Sequence, residues 1–137
     1  MFTHLGNGCP LMMHRHDNII QRVLNLSDRL RVGFIADGVH VPFVALKNYI
    51  QSVGFERSFV VTDAIAAAGQ GPGTYVLAGH TVVVDDSLAT WAEDKSHLVG
   101  SASTMVRVEQ NLRQHLNFSD EQVLKLTRQN PRNAIVT

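Results

Sequence analysis

The sequence predicts an α/β fold of parallel βα units carrying a small β-hairpin or meander insertion. Three observations predict it. In the first half, short apolar runs alternate with helical stretches of about ten residues, the order that builds parallel sheets through right-handed crossovers. At 69–73 a dense turn signal, Gly-Gln-Gly-Pro-Gly, changes the texture, and closely spaced β-branched runs follow it. Finally, 45% hydrophobic against 18% charged residues is the balance of a chain that buries a core rather than a disordered one.

Met1-Phe2-Thr3-His4 is too short to classify alone and runs into the turn-rich Gly6-Asn7-Gly8-Cys9-Pro10. Asp17 suits a helix N-cap, with Ile19, Ile20, Val23 and Leu24 on one face until Ser27-Asp28 breaks the run. Arg31 to Ala36, bounded by Asp37-Gly38, reads as a buried strand. Pro42 opens the next helix, with Leu46, Tyr49, Ile50 and Val53 inward and Gly54 as its stop. Ser58 to Val61 is a second apolar strand, ending at Thr62-Asp63-Ala64.

Beyond the glycine-rich turn, Thr74–Leu77 and Thr81–Val84 form a hairpin around Ala78-Gly79-His80, and Leu88–Ala92 with the lone Trp91 adds a third strand. After Gly100-Ser101 a helix carries Met105, Val108, Leu112 and Leu116 on one stripe. Ser119 and Gln122 make a capping box for the last helix. That helix is expected to stop near Asn130-Pro131, because a residue before proline disfavours helical geometry. The segments group as βα units over 1–68, a β insertion over 69–98 and helices over 99–137 that pack back on the first part. No independent second domain is expected.

Composition narrows the function. Lys plus Arg equals Asp plus Glu at 12 each, which gives no support to a nucleic-acid binder or a polybasic membrane anchor. No apolar run approaches the ~20 residues that span a bilayer. The single cysteine, Cys9, excludes an internal disulfide and a Cys-rich zinc module, and it fits a reducing cytoplasm. Polar residues gather at the ends of three apolar segments: Thr3-His4, Asp37 to His40, and Thr62-Asp63. Parallel α/β sheets bind ligands at the carboxyl ends of their strands. Read alone, Asp37 and Asp63 equally suit loop and helix caps, His4 a hydrogen-bonded core imidazole, and Arg15 a solvated charge.

Thr3-His4-Leu5-Gly6-Asn7-Gly8-Cys9-Pro10 resembles the Thr-His-Leu-x-Asn-x-Met-Pro segment of the N-acetylglucosamine-6-phosphate deacetylases of the amidohydrolase superfamily. The likeness continues in register through His14-Arg15, Phe34 to Val41, Val60 to Ala64, Leu98 to Ser101, and Asn130-Pro131. It departs at Gly6, Gly8 and Cys9, and at Asp17-Asn18 where Pro-Gly is common.

The resemblance implies the last three βα units of a (β/α)8-type barrel, in which a full eight-stranded barrel needs roughly 250 residues. It implies His4 as a ligand of a divalent metal, zinc being the expected ion, and Asp63 as the catalytic acid/base. A carboxylate in that place can take the proton of an attacking water and return it to the leaving amine. Asn7 and Gly8 would hold the sugar phosphate and Arg15 would pair with it, in this family often across a dimer interface. Asp37, Gly38, Val39 and His40 would line the substrate, and Leu98, Val99 and Gly100 would supply a loop from the far side. The activity implied is hydrolysis of the amide of N-acetylglucosamine 6-phosphate in amino-sugar metabolism, releasing acetate.

The upstream strands and remaining metal ligands of such enzymes are not among these residues. The chain by itself is therefore expected to be an inactive piece that pairs as a homodimer or with a complementary chain. The alternatives are another amidohydrolase, either a cyclic-amide hydrolase or a deaminase, or an inactive assembly fragment. His14-Arg15-His16 has metal-pair spacing but precedes a helix. Gly69 to Gly73 lacks the Gly-Lys-Ser/Thr ending of a phosphate loop. His80, His97 and His115 read as surface residues.

Overall fold

The computed structural model describes residues 1–135; the last two residues of the expected 99–137 segment lie outside the described residues. β1, Val32–Ile35, is buried along its whole length. Its apolar, partly β-branched side chains suit a strand covered on both faces. The first helix, α1 (Ile19–Asn25), precedes it and starts one residue later than expected: Asn18 is the cap, its Oδ1 accepting the Gln21 N–H at 3.0 Å. Asp17 instead pairs with Arg22 at 2.8 Å. α2, Phe43–Val53, begins directly after Pro42, buries Leu46, Ile50 and Val53, and ends at Gly54 with φ of +83°. β2, Ser58–Val61, then pairs parallel to β1 in the register Val32↔Ser58 to Ile35↔Val61.

Of the three parallel segments, the first is only a single bridge, Phe2 to Val32. The Phe2 N–H donates to the Arg31 carbonyl at 2.8 Å, and the Gly33 N–H donates to the Phe2 carbonyl at 2.8 Å. His4, at φ of +35°, turns the chain out of the extended conformation before a longer ladder can form.

Four antiparallel strands follow, in the spatial order of the sequence: β3 (Gly73–Leu77), β4 (His80–Val84), β5 (Ala89–Ala92) and β6 (Leu98–Ser101). Leu98 to Gly100, expected as a loop, are thus part of an edge strand. Ala64, just past β2, bridges Ser101 in parallel and ties this sheet to the first.

α3, Met105–Gln114, is capped by Thr104. α4, Asp120–Leu124, has both halves of the Ser119–Gln122 capping box. The chain does not stop at Asn130-Pro131. It passes through a π-helical turn, Lys125–Gln129, into α5, Asn130–Ile135. The wider turn gives the proline ring room against the preceding carbonyls. Asn130 is also anchored, its Nδ2 donating to the carbonyls of Phe55 at 2.6 Å and Ser58 at 2.7 Å. Phe34, Leu46, Ile50, Leu112, Leu116 and Leu126 form the main core, against a small second cluster of Ala67, Val84 and Ala102.

Candidate active site at the strand ends

Asp37 follows β1 and folds the next three residues around its own carboxylate. Its Oδ1 accepts the N–H groups of Val39 at 2.9 Å and His40 at 3.0 Å, a turn that short carboxylate side chains favour. Its Oδ2 lies 2.7 Å from Nδ1 of His40, and each of the two side chains is only 2% exposed. The loop demands glycine at 38: φ is +83°, and a Cβ there would sit 2.4 Å from Cζ of Phe43. Burial pushes the Asp37 carboxyl up. The His40 hydrogen bond and charge, with the two backbone N–H groups, outweigh it and hold the carboxyl below its ordinary value.

The other strand ends meet this loop through Ser101. Its Oγ donates to Asp37 Oδ2 at 2.9 Å, its N–H donates to the Asp63 carbonyl at 2.9 Å, and its own carbonyl accepts the Ile65 N–H at 3.0 Å. Gly100 permits the approach, since a Cβ there would lie 2.9 Å from the Asp63 carbonyl oxygen and 2.6 Å from the Ile65 side chain. Asp63 sits at φ of +51°, exposed, and its carboxylate has no hydrogen-bond or ion-pair partner among the described residues.

The first loop reaches the same end of the molecule. Leu5 N–H donates to the Gly33 carbonyl at 2.9 Å, and a Cβ on Gly6 would touch Val41 at 2.9 Å. Asn7 N–H closes a turn onto the His4 carbonyl at 2.9 Å. Gly8 has open space around it, and Arg15 is exposed without an ion pair among the described residues. Asp37, Gly38, Val39, His40, Asp63 and Leu98 to Gly100 are therefore joined through Ser101. The His4–Asn7 loop abuts them through Gly6 and Val41, and among the described residues no hydrogen bond or ion pair links Gly8 or Arg15 to the cluster.

His14 and His16 lie 6.2 Å apart, and His14 Nδ1 already accepts the Asp17 N–H at 2.9 Å. His115 stacks on Phe43 at 4.3 Å. A cavity of about 780 Å³ opens on the second sheet between His80, Glu93 and His97, and it shares only Val99 with the predicted residues.

Two residues of the cluster were not assigned from sequence. Ser101 is one. Asn111 is the other: buried on α3, it donates from Nδ2 to the carbonyls of Ala36 at 3.0 Å and Asp37 at 3.4 Å. Its signal was a polar residue on the same stripe as Val108 and Leu112.

His4 Nδ1 is buried without a hydrogen-bond partner, as an imidazole kept for a metal would be. Among the described residues, however, no group of three His, Cys, Asp or Glu side chains could hold an ion. A catalytic zinc takes three protein ligands.

Asp37, His40 and Asp63 thus follow the carboxyl ends of the two parallel strands, where α/β folds carry their ligand sites. No family model matches the chain. It is 31% identical to the N-acetylglucosamine-6-phosphate deacetylase of Lysinibacillus sphaericus over 128 residues, 93% of this chain and 32% of that protein. To the Bos taurus protein of the same name it is 32% identical over 136 residues, 94% of this chain and 32% of that one. The crystal structure of the Pasteurella multocida deacetylase superposes with a TM-score of 0.83 at 30% identity, over 98% of this chain and 35% of that chain. A Mycobacterium smegmatis deacetylase, an aspartate-to-alanine mutant in complex with N-acetyl-D-glucosamine-6-phosphate, gives 0.83 at 27% identity, over 96% and 35%. The chain is thus related to N-acetylglucosamine-6-phosphate deacetylases and spans about a third of the length of the relatives it matches. Among the described residues, no helix is long and apolar enough to cross a membrane.

Proposed function

We propose that this chain supplies the acid–base and phosphate-binding part of an N-acetylglucosamine-6-phosphate deacetylase, as three βα units of a (β/α)8-type barrel with a β insertion. The observation that carries the reading is the junction at Ser101, which ties the loop holding Asp37 and His40 to the loop holding Asp63. Asp63 has a solvent-facing carboxylate free to take a proton from water and return it to the amine that leaves. His40, locked by Asp37 through Nδ1, presents the lone pair of Nε2 to the sugar, where it accepts from a hydroxyl or the amide N–H. Arg15 suits bidentate pairing with a phosphate, and the open backbone at Gly8 allows an anion to approach. Leu98 to Gly100 line the opposite side.

The zinc that the family implies would take His4 as one ligand and Asp63 as a possible second, with the rest of its set supplied by other parts of the enzyme. A short parallel sheet with open edges also calls for a covering partner, either a second copy or a complementary polypeptide. One cysteine and an even charge balance suit a cytoplasmic setting.

The test is a titration of the isotope-labelled chain with N-acetylglucosamine 6-phosphate and, separately, with N-acetylglucosamine. Amide shifts at Gly8, Arg15, His40 and Gly100 are expected with the phosphorylated sugar, and Arg15→Ala should remove the preference. Equal responses to both sugars would overturn the phosphate assignment and favour another amidohydrolase. In parallel, the chain alone with zinc should release no acetate, and sustained turnover would show that the centre is complete without other residues.

A further inference from the structure

We propose that Ser101 is a positioning residue that sets the proton position and orientation of the His40 imidazole through Asp37, while its backbone holds the Asp63 loop. The hydroxyl of Ser101 has one proton. Its oxygen accepts the Ser103 N–H at 3.1 Å, and the proton points to Asp37 Oδ2 at 2.9 Å. Ser101 itself is fully buried, so water does not compete for that bond.

The Asp37 carboxylate, ionised at neutral pH, can only accept hydrogen bonds. Its Oδ1 takes two backbone N–H groups and its Oδ2 takes the Ser101 hydroxyl, so the 2.7 Å contact requires the proton on Nδ1 of His40. A neutral His40 is then left with its lone pair on Nε2. With the serine donor removed, Oδ2 keeps only the His40 N–H, and the acceptor that aligns the imidazole is held by one bond fewer.

The same residue donates its N–H to the Asp63 carbonyl, 38 positions earlier in the chain. Ser101 belongs to β6, the edge strand of the antiparallel sheet. Through it that sheet registers the two groups that the parallel strands carry. The catalytic weight of this contact rests on the deacetylase reading; the tautomer and its dependence on Ser101 do not.

The experiment is imidazole 15N NMR on the full chain, wild type, Ser101→Ala and Ser101→Thr. In the wild type, His40 is expected as the Nδ1–H tautomer with a slowly exchanging ring proton. Ser101→Ala should speed that exchange roughly tenfold, the loss of one hydrogen bond to a charged group, and mix the tautomers. Ser101→Thr, which keeps the hydroxyl, should restore the wild-type signature. An Nε2–H tautomer in the wild type overturns the proposal without any variant. So does a folded Ser101→Ala chain with unchanged shifts and exchange. Should the alanine variant fail to fold, the wild-type tautomer and the threonine variant decide between the two outcomes. Loss of phosphate-dependent sugar binding with the wild-type tautomer intact would instead count against the deacetylase reading alone.

Discussion

The parallel strands and the antiparallel sheet bury themselves differently. β1 is covered on both faces, and α2, α3 and the C-terminal helices close a core of large side chains around it. β3 and β4 alternate, exposing every second residue or leaving it half-buried, and their cluster holds only Ala67, Val84 and Ala102 as buried members. The first region anchors its loops on a core of fully buried large side chains. The second has little core of its own and acts on the site through one edge strand.

The largest expected effect breaks the first region. Leu112→Ala empties a fully buried position on α3 and should cost about 2–5 kcal/mol in urea unfolding. A loss below about 1 kcal/mol would mean the main core is looser than its burial indicates.

Asp37→Asn comes next. It removes the charge that His40 and Ser101 share and should cost about 1–3 kcal/mol. The same residue predicts a pH dependence. Its folded carboxyl is held below its unfolded value near 4, so the unfolded state binds more protons between the two. The stabilisation is complete above about pH 4 and is lost as pH falls through the folded value. Acid unfolding curves of the wild type and Asp37→Asn should therefore converge at low pH, and parallel curves would contradict the assignment.

Val84→Ala, in the small cluster, should cost about 1–2 kcal/mol, the transfer of two buried methyl groups. A cost equal to that of Leu112→Ala would erase the contrast between the two regions. Smallest of all, Asp63→Asn should leave stability within about 0.5 kcal/mol, because its exposed carboxylate has no hydrogen-bond or ion-pair partner among the described residues. If Asp63 is the acid/base of the proposed deacetylase, the same change in the whole enzyme should lower acetate release by about 10²–10⁴-fold, the usual worth of such a group. Destabilisation without loss of activity would recast Asp63 as a structural cap.

Local chemistry made much of this legible. Ser58 to Val61, the Ser119–Gln122 capping box and the Gly54 stop depend on neighbours within a few residues, and they stand where the sequence places them. So do the strand-end positions of Asp37 and Asp63, since a polar break after an apolar run is written in consecutive residues. Two local readings failed by small margins: Asn18 rather than Asp17 caps α1, and Pro131 is carried inside the last helical segment. In each case a competing contact decided, the Asp17–Arg22 ion pair in one and the Asn130 anchor with the π-helical turn in the other.

What only the tertiary structure decided are the contacts across long stretches of chain. Ser101 on Asp37 and Asn111 on the Ala36 carbonyl join residues 64 and 75 positions apart. Strand pairing likewise turned Leu98 to Gly100 from an expected loop into part of an edge strand. A hydroxyl or an amide has no preferred partner until the chain closes the loop between them, and closure depends on how all the other elements pack. Sequence by itself names the groups able to do the chemistry; burial and register choose which of them meet.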